Sequence, residues 1–307
     1  MLDNFVVIAQ QVLVLFVLIA VGFLCGKKGI LNESSSHHIT DVVLYVVTPC
    51  VMISAFQREF SLELLGSILI AVLCASLILV GSILVAKLIF HDKNASRKKV
   101  LEFATIFSNC GFMSLPLQKA ILGNDGWFYG SIFVAVFNVF VWSYGLVSMS
   151  GDKKQMSVKK LVFNPGIMGV VIAILLFVCR IDLPYIIQQP IEYLSALNTP
   201  LPMLIIGFYL SKANFRKAFT DLGAYIAMLT RLVVIPLAAT FIMTLCGVDK
   251  TVLIAFVIAS AAPTAATTTM FAAKFDRDVE LSVSIVASST LLSIVTMPLV
   301  VALASTL

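Results

Sequence analysis

Two long apolar segments, one in each half of the chain, are interrupted by small polar residues and a proline. The first runs from Val100 to Pro116 and the second from Val252 to Thr267. Each has about eight or nine apolar residues before the interruption, which lies roughly half-way across a hydrocarbon core of about 30 Å. Backbone groups left unpaired at that depth are tolerated only inside protein or beside a water-filled cavity. A matched pair of interrupted spans therefore indicates the binding site of a secondary transporter.

The composition of the chain is typical of a membrane protein. Of its 307 residues 60% are hydrophobic and only 12% are charged, and the mean hydropathy is +1.04. The net charge of +5 comes from basic residues in short loops between apolar spans, so membrane topology explains it better than nucleic-acid binding. We therefore expect an all-α, multi-pass protein of the cell membrane, in contact with the lipid bilayer and without a nucleic-acid partner.

Ten transmembrane helices are predicted from the apolar segments. The odd-numbered loops between these helices contain 15 Lys and Arg residues, and the even-numbered loops contain 4. By the positive-inside rule the odd-numbered loops are cytoplasmic. Both termini are then expected outside. The predicted spans are 5–26, 39–57, 63–90, 100–122, 127–149, 163–180, 185–211, 222–246, 251–274 and 279–305.

Two landmarks recur in the two halves of the chain. The pair Thr48-Pro49 in the second span matches Thr199-Pro200 in the seventh, an offset of 151, and Pro116 in the fourth matches Pro263 in the ninth, an offset of 147. An odd number of spans in each half inverts the second half relative to the first, which predicts two inverted five-helix repeats. The predicted repeats are residues 1–149 and 163–307, with a hydrophilic cytoplasmic linker at 150–162.

The interruptions themselves are predicted to bind an anion. Two helix N-termini would meet near the midplane, each with unpaired N–H groups and about half a positive charge, which suits a carboxylate. The alternative is that the polar side chains only bond neighbouring helices and that the prolines are ordinary kinks. The candidate binding residues are Ser108, Asn109, Cys110, Gly111 and Ser114 at the first interruption, Ser260, Thr264, Thr267, Thr268 and Thr269 at the second, and Asn138 in the fifth span.

Charged side chains are nearly absent from the middle of the spans. Arg231 is the one cation well within a predicted span, so we take it as a binding candidate, although it could instead snorkel to the cytoplasm or pair with carbonyls. No Asp or Glu lies mid-span, which leaves a carboxylate proton relay without an obvious residue.

No enzyme, metal or cofactor signature is found in the sequence. The six cysteines form no CxxC pair and no zinc spacing, and the adjacent His37 and His38 are expected to be solvated. Walker A, HExxH and GxSxG motifs are absent. We expect no enzymatic activity, no metal site and no cofactor.

The interrupted segments also resemble those of a known family. Phe107-Ser-Asn-Cys-Gly-Phe-Met-Ser-Leu-Pro116, Ala259-Ser-Ala-Ala-Pro263 and Asn138 before Trp142 are similar to the auxin efflux carriers, within the bile-acid, arsenite and riboflavin transporter superfamily. The resemblance covers essentially the whole chain. It implies a scaffold of spans 1, 2, 6 and 7, a transport domain of spans 3–5 and 8–10, a homodimer through the scaffold and elevator-like movement. It assigns binding and helix-crossover positions to Asn109, Pro116, Asn138 and Pro263.

Three functions are compatible with these observations. The short linker of about thirteen residues favours a prokaryotic organic-acid permease over a plant hormone carrier, so the first is a carrier, expected to favour efflux, for small organic anions such as malate or malonate. The second is sodium-coupled uptake, which acidic ligands near the crossover would favour. The third is a membrane sensor without transport, which a fused signalling domain would favour.

Overall fold

The computed structural model describes residues 2–152, 154, 163–212 and 220–307, and for residues 2–8 the backbone alone. Helices make up the regular structure of these ranges, apart from one isolated antiparallel bridge between Ser108 and Thr264. Most of the predicted linker at 150–162 and five of the basic loop residues fall outside the described residues. These five are Lys153, Lys159, Lys160, Arg216 and Lys217.

The described helices are numbered here in chain order. Within the described residues, seven are long and apolar enough to cross a membrane, and α6 and α9 are shorter apolar helices, which confirms the all-α membrane protein. The bounds are α1, Leu2–Lys27; α2, Glu33–Phe56; α3, Leu62–Ile89; α4, Ala95–Ile106; α5, Cys110–Ser150; α6, Pro165–Val178; α7, Tyr185–Lys212; α8, Leu222–Leu245; α9, Lys250–Ala261; α10, Thr267–Lys274; and α11, Val279–Thr306.

Helix α5 differs from the predicted pattern. The sequence predicts two spans, 100–122 and 127–149, separated by a loop, whereas α5 continues from Cys110 to Ser150 with one non-helical residue, Gly123. Gly123 has φ 63° and ψ −139°, a conformation that only glycine adopts at little cost. A single glycine therefore makes the turn for which the sequence predicted a loop.

Side-chain caps determine where most helices begin. The capping oxygen accepts a hydrogen bond from an amide of the first turn, as Asp249 does from Thr251 N at 2.9 Å and Val252 N at 3.2 Å. Such caps are worth about 0.5–2 kcal/mol each. The capped helices are α2, α3, α4, α6, α8, α9 and α11, with Asn32, Ser61, Asn94, Asn164, Asp221, Asp249 and Asp278 as capping residues.

Two pairs of helices pack around the interrupted segments. Helix α1 lies along α7, where Gly22 and Gly207 allow the two backbones to touch, since a Cβ at either residue would overlap a backbone oxygen of the other helix. Helix α2 packs on α6. The apolar outer faces of α1 and α3 are exposed and suit lipid contact.

The interrupted segments form the centre of the protein. Every residue of 100–110 and of 252–265 is buried, on all sides of the helices and through the interruptions. A helix that is apolar all round is expected in such an interior position. Short π-helical turns lie nearby in α2, α5 and α8, a local geometry that is frequent at functional sites.

Candidate functional site

The first interruption separates α4 from α5. Helix α4 ends at Ile106, Phe107 is extended with φ −102° and ψ 112°, and helical structure resumes at Cys110. Ser and Asn favour this break because their side chains compete with the helix for backbone groups. The sequence predicts the interruption between Asn109 and Pro116, but Pro116 follows the π-helical turn Cys110–Ser114 and stands at the beginning of the α-helical part of α5, a position that tolerates proline.

The second interruption separates α9 from α10 and depends directly on a proline. Ala262 is extended with φ −61° and ψ 148°, as expected for the residue before Pro263, and helix resumes at Thr267. Pro263 has no N–H group and cannot continue the ladder of helical hydrogen bonds.

The two interruptions bond to each other. The amide of Asn109 donates to the carbonyl of Pro263 at 2.7 Å, and the amide of Ala265 donates to the carbonyl of Phe107 at 2.9 Å. These two bonds form the antiparallel bridge that pairs Ser108 with Thr264. Backbone groups freed in the middle of an apolar core are thereby satisfied without water.

Arg231 of α8 bonds the ends of the two helices that precede the interruptions. Its Nη1 donates to the carbonyls of Thr105, at 3.1 Å, and Ile106, at 2.9 Å, and its Nη2 donates to the carbonyl of Ser260. The side chain is only 2% exposed. A cation at two helix C-termini complements their dipoles and their unpaired carbonyls. Of the alternatives for Arg231, these contacts match pairing with carbonyls.

A small cavity of about 50 Å³ lies beside the two interruptions. None of its lining residues carries a formal charge, so the local field comes from helix ends and polar side chains. The cavity is lined by Leu44, Thr48, Val51, Met52, Ser108, Asn109, Gly111, Phe112, Leu115, Val134, Phe137, Asn138, Asn198, Ala265, Ala266 and Thr267.

Five of the candidate binding residues line this cavity, namely Ser108, Asn109, Gly111, Asn138 and Thr267. Seven others do not border it in the part of the chain that the structure describes: Cys110, Ser114, Ser260, Thr264, Thr268, Thr269 and Arg231. The hydroxyls of Ser114 and Thr264 donate to the carbonyls of Cys110 and Ala104, so they hold the backbone instead. Of the two prolines, Pro263 contributes its carbonyl to the bridge and Pro116 lines a larger cavity.

The helix starts at the cavity lack the caps found elsewhere. Neither α5, which begins after Asn109, nor α10, which begins after Ala266, has a side-chain hydrogen bond to its first amides. The hydroxyl of Thr267 is buried and has no hydrogen-bond partner within the described residues. The amides of Thr268 and Thr269, in the first turn of α10, bond to the carbonyls of Ala265 and Ala266. The groups that α10 offers to a ligand are therefore the unpaired Thr267 hydroxyl and the positive end of the helix, which favours an anion.

Two further polar residues of the cavity were not among the predicted binding residues. Asn198 donates its Nδ2 to the carbonyl of Gly111 at 3.0 Å, and the Thr48 hydroxyl donates to the carbonyl of Val43 at 2.9 Å. Both lie in or beside the Thr-Pro pairs that the sequence analysis treated only as landmarks of the repeat. The Thr-Pro pairs could therefore have pointed to these residues, but no periodicity in the sequence connects them to the interruptions.

A larger cavity of about 790 Å³, which we call the vestibule, lies between α2, α5 and α7. It includes Pro116 and Thr199, the chain neighbours of Leu115 and Asn198 in the small cavity. It is also lined by Arg58, Lys119 and Leu183, which lie in or near even-numbered loops. The vestibule thus leads from that side of the protein towards the interruptions.

The fold and cavities define a multi-pass membrane protein with a polar site enclosed by its helices. A sequence model of membrane transport proteins matches residues 7–301. The chain belongs to this membrane transport protein family, which confirms the resemblance to the auxin efflux carriers.

Two similar proteins come from archaea and are both described as uncharacterized transporters. The one from Methanocaldococcus jannaschii is 25% identical over 94% of this chain and 96% of its own length. The one from Methanothermobacter thermautotrophicus is 26% identical over 94% of this chain and 96% of its own length. The family and these relatives are transporters rather than enzymes.

Proposed function

We propose that this protein is a secondary transporter for small organic anions, with its substrate site in the cavity at the two interruptions. The observation that carries the proposal is that two uncapped helix starts, at Cys110 and Thr267, border one buried cavity. Their amides and dipoles attract negative charge, and the amide groups of Asn109 and Asn138 can orient a carboxylate. Malate and malonate are the substrate type that we expect.

The proposed route to the site is alternating access by an elevator-like movement. In this account ten spans form two inverted five-helix repeats, spans 4 and 9 cross at the interruptions, and Pro116 and Pro263 belong to the crossover. The close packing of α1 on α7 and of α2 on α6 supports a scaffold of spans 1, 2, 6 and 7 against which spans 3–5 and 8–10 move. A homodimer through that scaffold, in the cell membrane with both termini outside, completes the proposal.

Export is the favoured direction because the proposed site has no cation carrier. No Asp or Glu lines the small cavity, so neither a proton relay nor an acidic sodium site is evident there. An organic anion that leaves a cell with a negative interior gains about 2.3 kcal/mol per charge per 100 mV. The membrane potential alone can therefore drive electrogenic efflux.

Transport by purified protein in proteoliposomes tests the function. Labelled malate, malonate and an aromatic acid are offered with and without sodium, proton and potential gradients, the potential being clamped with valinomycin and potassium. Saturable movement of a carboxylate that follows the potential supports the proposal. Transport that ignores the potential but follows sodium supports the uptake alternative, and absence of transport for every compound, with binding retained, supports a sensor.

The location of the site is tested with Asn109→Ala. Removal of the amide leaves a substrate oxygen unpaired, which should weaken binding by about 1–3 kcal/mol, or roughly 5- to 150-fold. Gln10→Ala is the control, because Gln10 is an exposed side-chain amide on α1 that lines neither cavity. Equal binding by wild type and Asn109→Ala would assign the amide a structural role only.

A further inference from the structure

The vestibule carries hydrogen-bond donors that the proposed transport site does not use. Nη1 of Arg58 and Nε1 of Trp127 are both buried, and neither has a hydrogen-bond partner within the described residues. Both residues line the vestibule. Buried donors are nearly always paired, so two unpaired donors in one cavity call for an acceptor.

The arrangement of these donors is fixed by their neighbours. The Arg58 guanidinium lies 4.7 Å from the centre of the Phe128 ring, and its Nη2 donates to Asp125 at 3.0 Å. That ion pair fixes the orientation of the guanidinium and leaves Nη1 without a hydrogen bond. Trp127 is only 7% exposed, so its indole is held by packing.

Lys119 adds a second positive charge to the same wall. Its Nζ lies 4.3 Å from the centre of the Trp127 ring, and it projects from the first turns of α5. Glu192 is the carboxylate that lines the vestibule, and it accepts a hydrogen bond from Gln188 at 2.9 Å. Within the described residues, Arg58, Lys119 and Trp127 thus have no acceptor apart from the Arg58 bond to Asp125.

We propose that Arg58, Lys119 and Trp127 form a second carboxylate-binding site in the vestibule, separate from the cavity at the interruptions. A guanidinium, an ammonium and an indole N–H supply donors only, which matches a group that only accepts. The choice of a carboxylate rests on the proposed function. The site raises the local concentration of the anion at the mouth and so lowers KM without changing the maximal rate.

The chain offers a built-in reporter for this site. Trp127 and Trp142 are its two tryptophans, so Trp142→Phe, which keeps an aromatic ring against Phe271, leaves Trp127 as the single fluorophore. Malonate is titrated into this protein in nanodiscs of zwitterionic lipid, where no lipid headgroup competes as a net anion. Potassium chloride at equal ionic strength controls for screening.

Malonate is expected to change the Trp127 fluorescence, and the change should persist when Asn109→Ala is added. Lys119→Gln or Arg58→Gln should raise the Kd of this response about tenfold or more, since each removes a charged donor. Lys250→Gln is the matched control, because it removes a lysine charge at another even-numbered loop, outside the vestibule lining. In transport, Lys119→Gln should raise KM and leave the maximal rate unchanged.

Failure of this site and failure of the proposed function give different results. The vestibular site is overturned if malonate gives no Trp127 response, if chloride gives the same response, or if Asn109→Ala abolishes it while Lys119→Gln leaves it intact. A Lys119-dependent response in a protein that transports no organic anion still supports the vestibular site. Thermal unfolding of each variant verifies that loss of response is not loss of fold.

Discussion

The helix starts at the periphery and those at the interruptions are built differently. Seven helices begin with a capping side chain, whereas α5 and α10 begin beside the buried cavity without one. Helix α7 also lacks a side-chain cap, but its first residue, Tyr185, is 76% exposed, so water can reach its amides. Among the helix starts whose side chains the structure describes, the uncapped starts enclosed by protein are those at the interruptions.

This difference separates stability from function. A peripheral cap satisfies amides within the chain and so contributes to folding whether or not substrate is present. An uncapped start inside the protein leaves the positive end of its helix without a neutralising side chain, which favours an anionic ligand at a cost that other contacts must offset. The offset here comes from the bridge between the interruptions and from Arg231 at the preceding helix ends.

The largest effect is expected for Arg231→Leu. Loss of the guanidinium leaves the carbonyls of Thr105, Ile106 and Ser260 unpaired in the core, which should lower the free energy of unfolding by about 3–5 kcal/mol. Thermal unfolding in detergent measures the loss. Arg180→Leu, at an exposed arginine, is the control and should change stability by less than about 1 kcal/mol. Equal stability of wild type and Arg231→Leu would show that Arg231 does not hold the interruptions.

The two threonines of the second interruption should respond in opposite ways. Thr267→Val removes a hydroxyl without a partner, so stability should stay equal or rise while substrate Kd rises about fivefold or more. Thr264→Val removes the bond to the Ala104 carbonyl, so stability should fall by about 1 kcal/mol with a smaller change in Kd. Calorimetric titration and thermal unfolding of both variants give the comparison. Equal changes in stability and in substrate Kd in the two variants would contradict the different roles given to the unpaired Thr267 hydroxyl and the bonded Thr264 hydroxyl.

A peripheral cap should matter for stability alone. Asp249→Ala removes the acceptor for the first amides of α9 and should cost about 1 kcal/mol of stability. Substrate Kd should remain within about twofold of wild type, because this helix start is distant in sequence from the interruption. A large loss of affinity in Asp249→Ala would break the proposed separation of the two groups of helix starts.

The smallest effect is expected at another peripheral cap and depends on pH. Burial raises the pKa of Asp221, but hydrogen bonds from Arg97 and from the amide of Ala224 outweigh it and leave the pKa below its usual range. A lowered pKa gives a stabilisation that is complete above the unfolded-state pKa of about 3.9 and is lost as pH falls through the lower folded-state value. The free energy of unfolding, obtained from thermal unfolding between about pH 6 and 3, should therefore fall less steeply with decreasing pH in Asp221→Asn than in wild type. The difference should be about 1 kcal/mol in total. Identical profiles would exclude a contribution from this carboxylate.

Much of the fold could be predicted from the sequence because apolar length and composition nearly determine it. The all-α membrane class and the approximate location of both interruptions follow from long apolar runs broken by Ser, Asn, Gly and Pro. The exact start of the first interruption could not be predicted. Proline is tolerated where an α-helical segment begins, so Pro116 follows the π-helical turn Cys110–Ser114 instead of marking the break at Phe107.

The site could be predicted only where the residues lie in the interruptions themselves or in an adjacent span. Asn109, Gly111, Asn138 and Thr267 were named from the sequence and line the cavity. Asn198 reaches the cavity because α7 packs beside α5, a tertiary contact that no local pattern records. The sequence also could not decide between the alternatives for Arg231, because its partners are backbone carbonyls that carry no sequence signal.

Replacement of the Asn109 side-chain amide by a carboxylate tests most directly the claim that the interruptions form an anion site. Asn109 is the residue before the uncapped start of α5 and is 5% exposed, and Asn109→Asp changes its charge at nearly constant shape. Asp is a good helix cap and its charge suits the positive helix end, so the variant should be at least as thermally stable as wild type. The same charge occupies and repels the anion site, so malonate transport should fall by more than about 100-fold. Malonate transport within a few-fold of the wild-type rate by a folded Asn109→Asp protein would contradict an anion site at the interruptions.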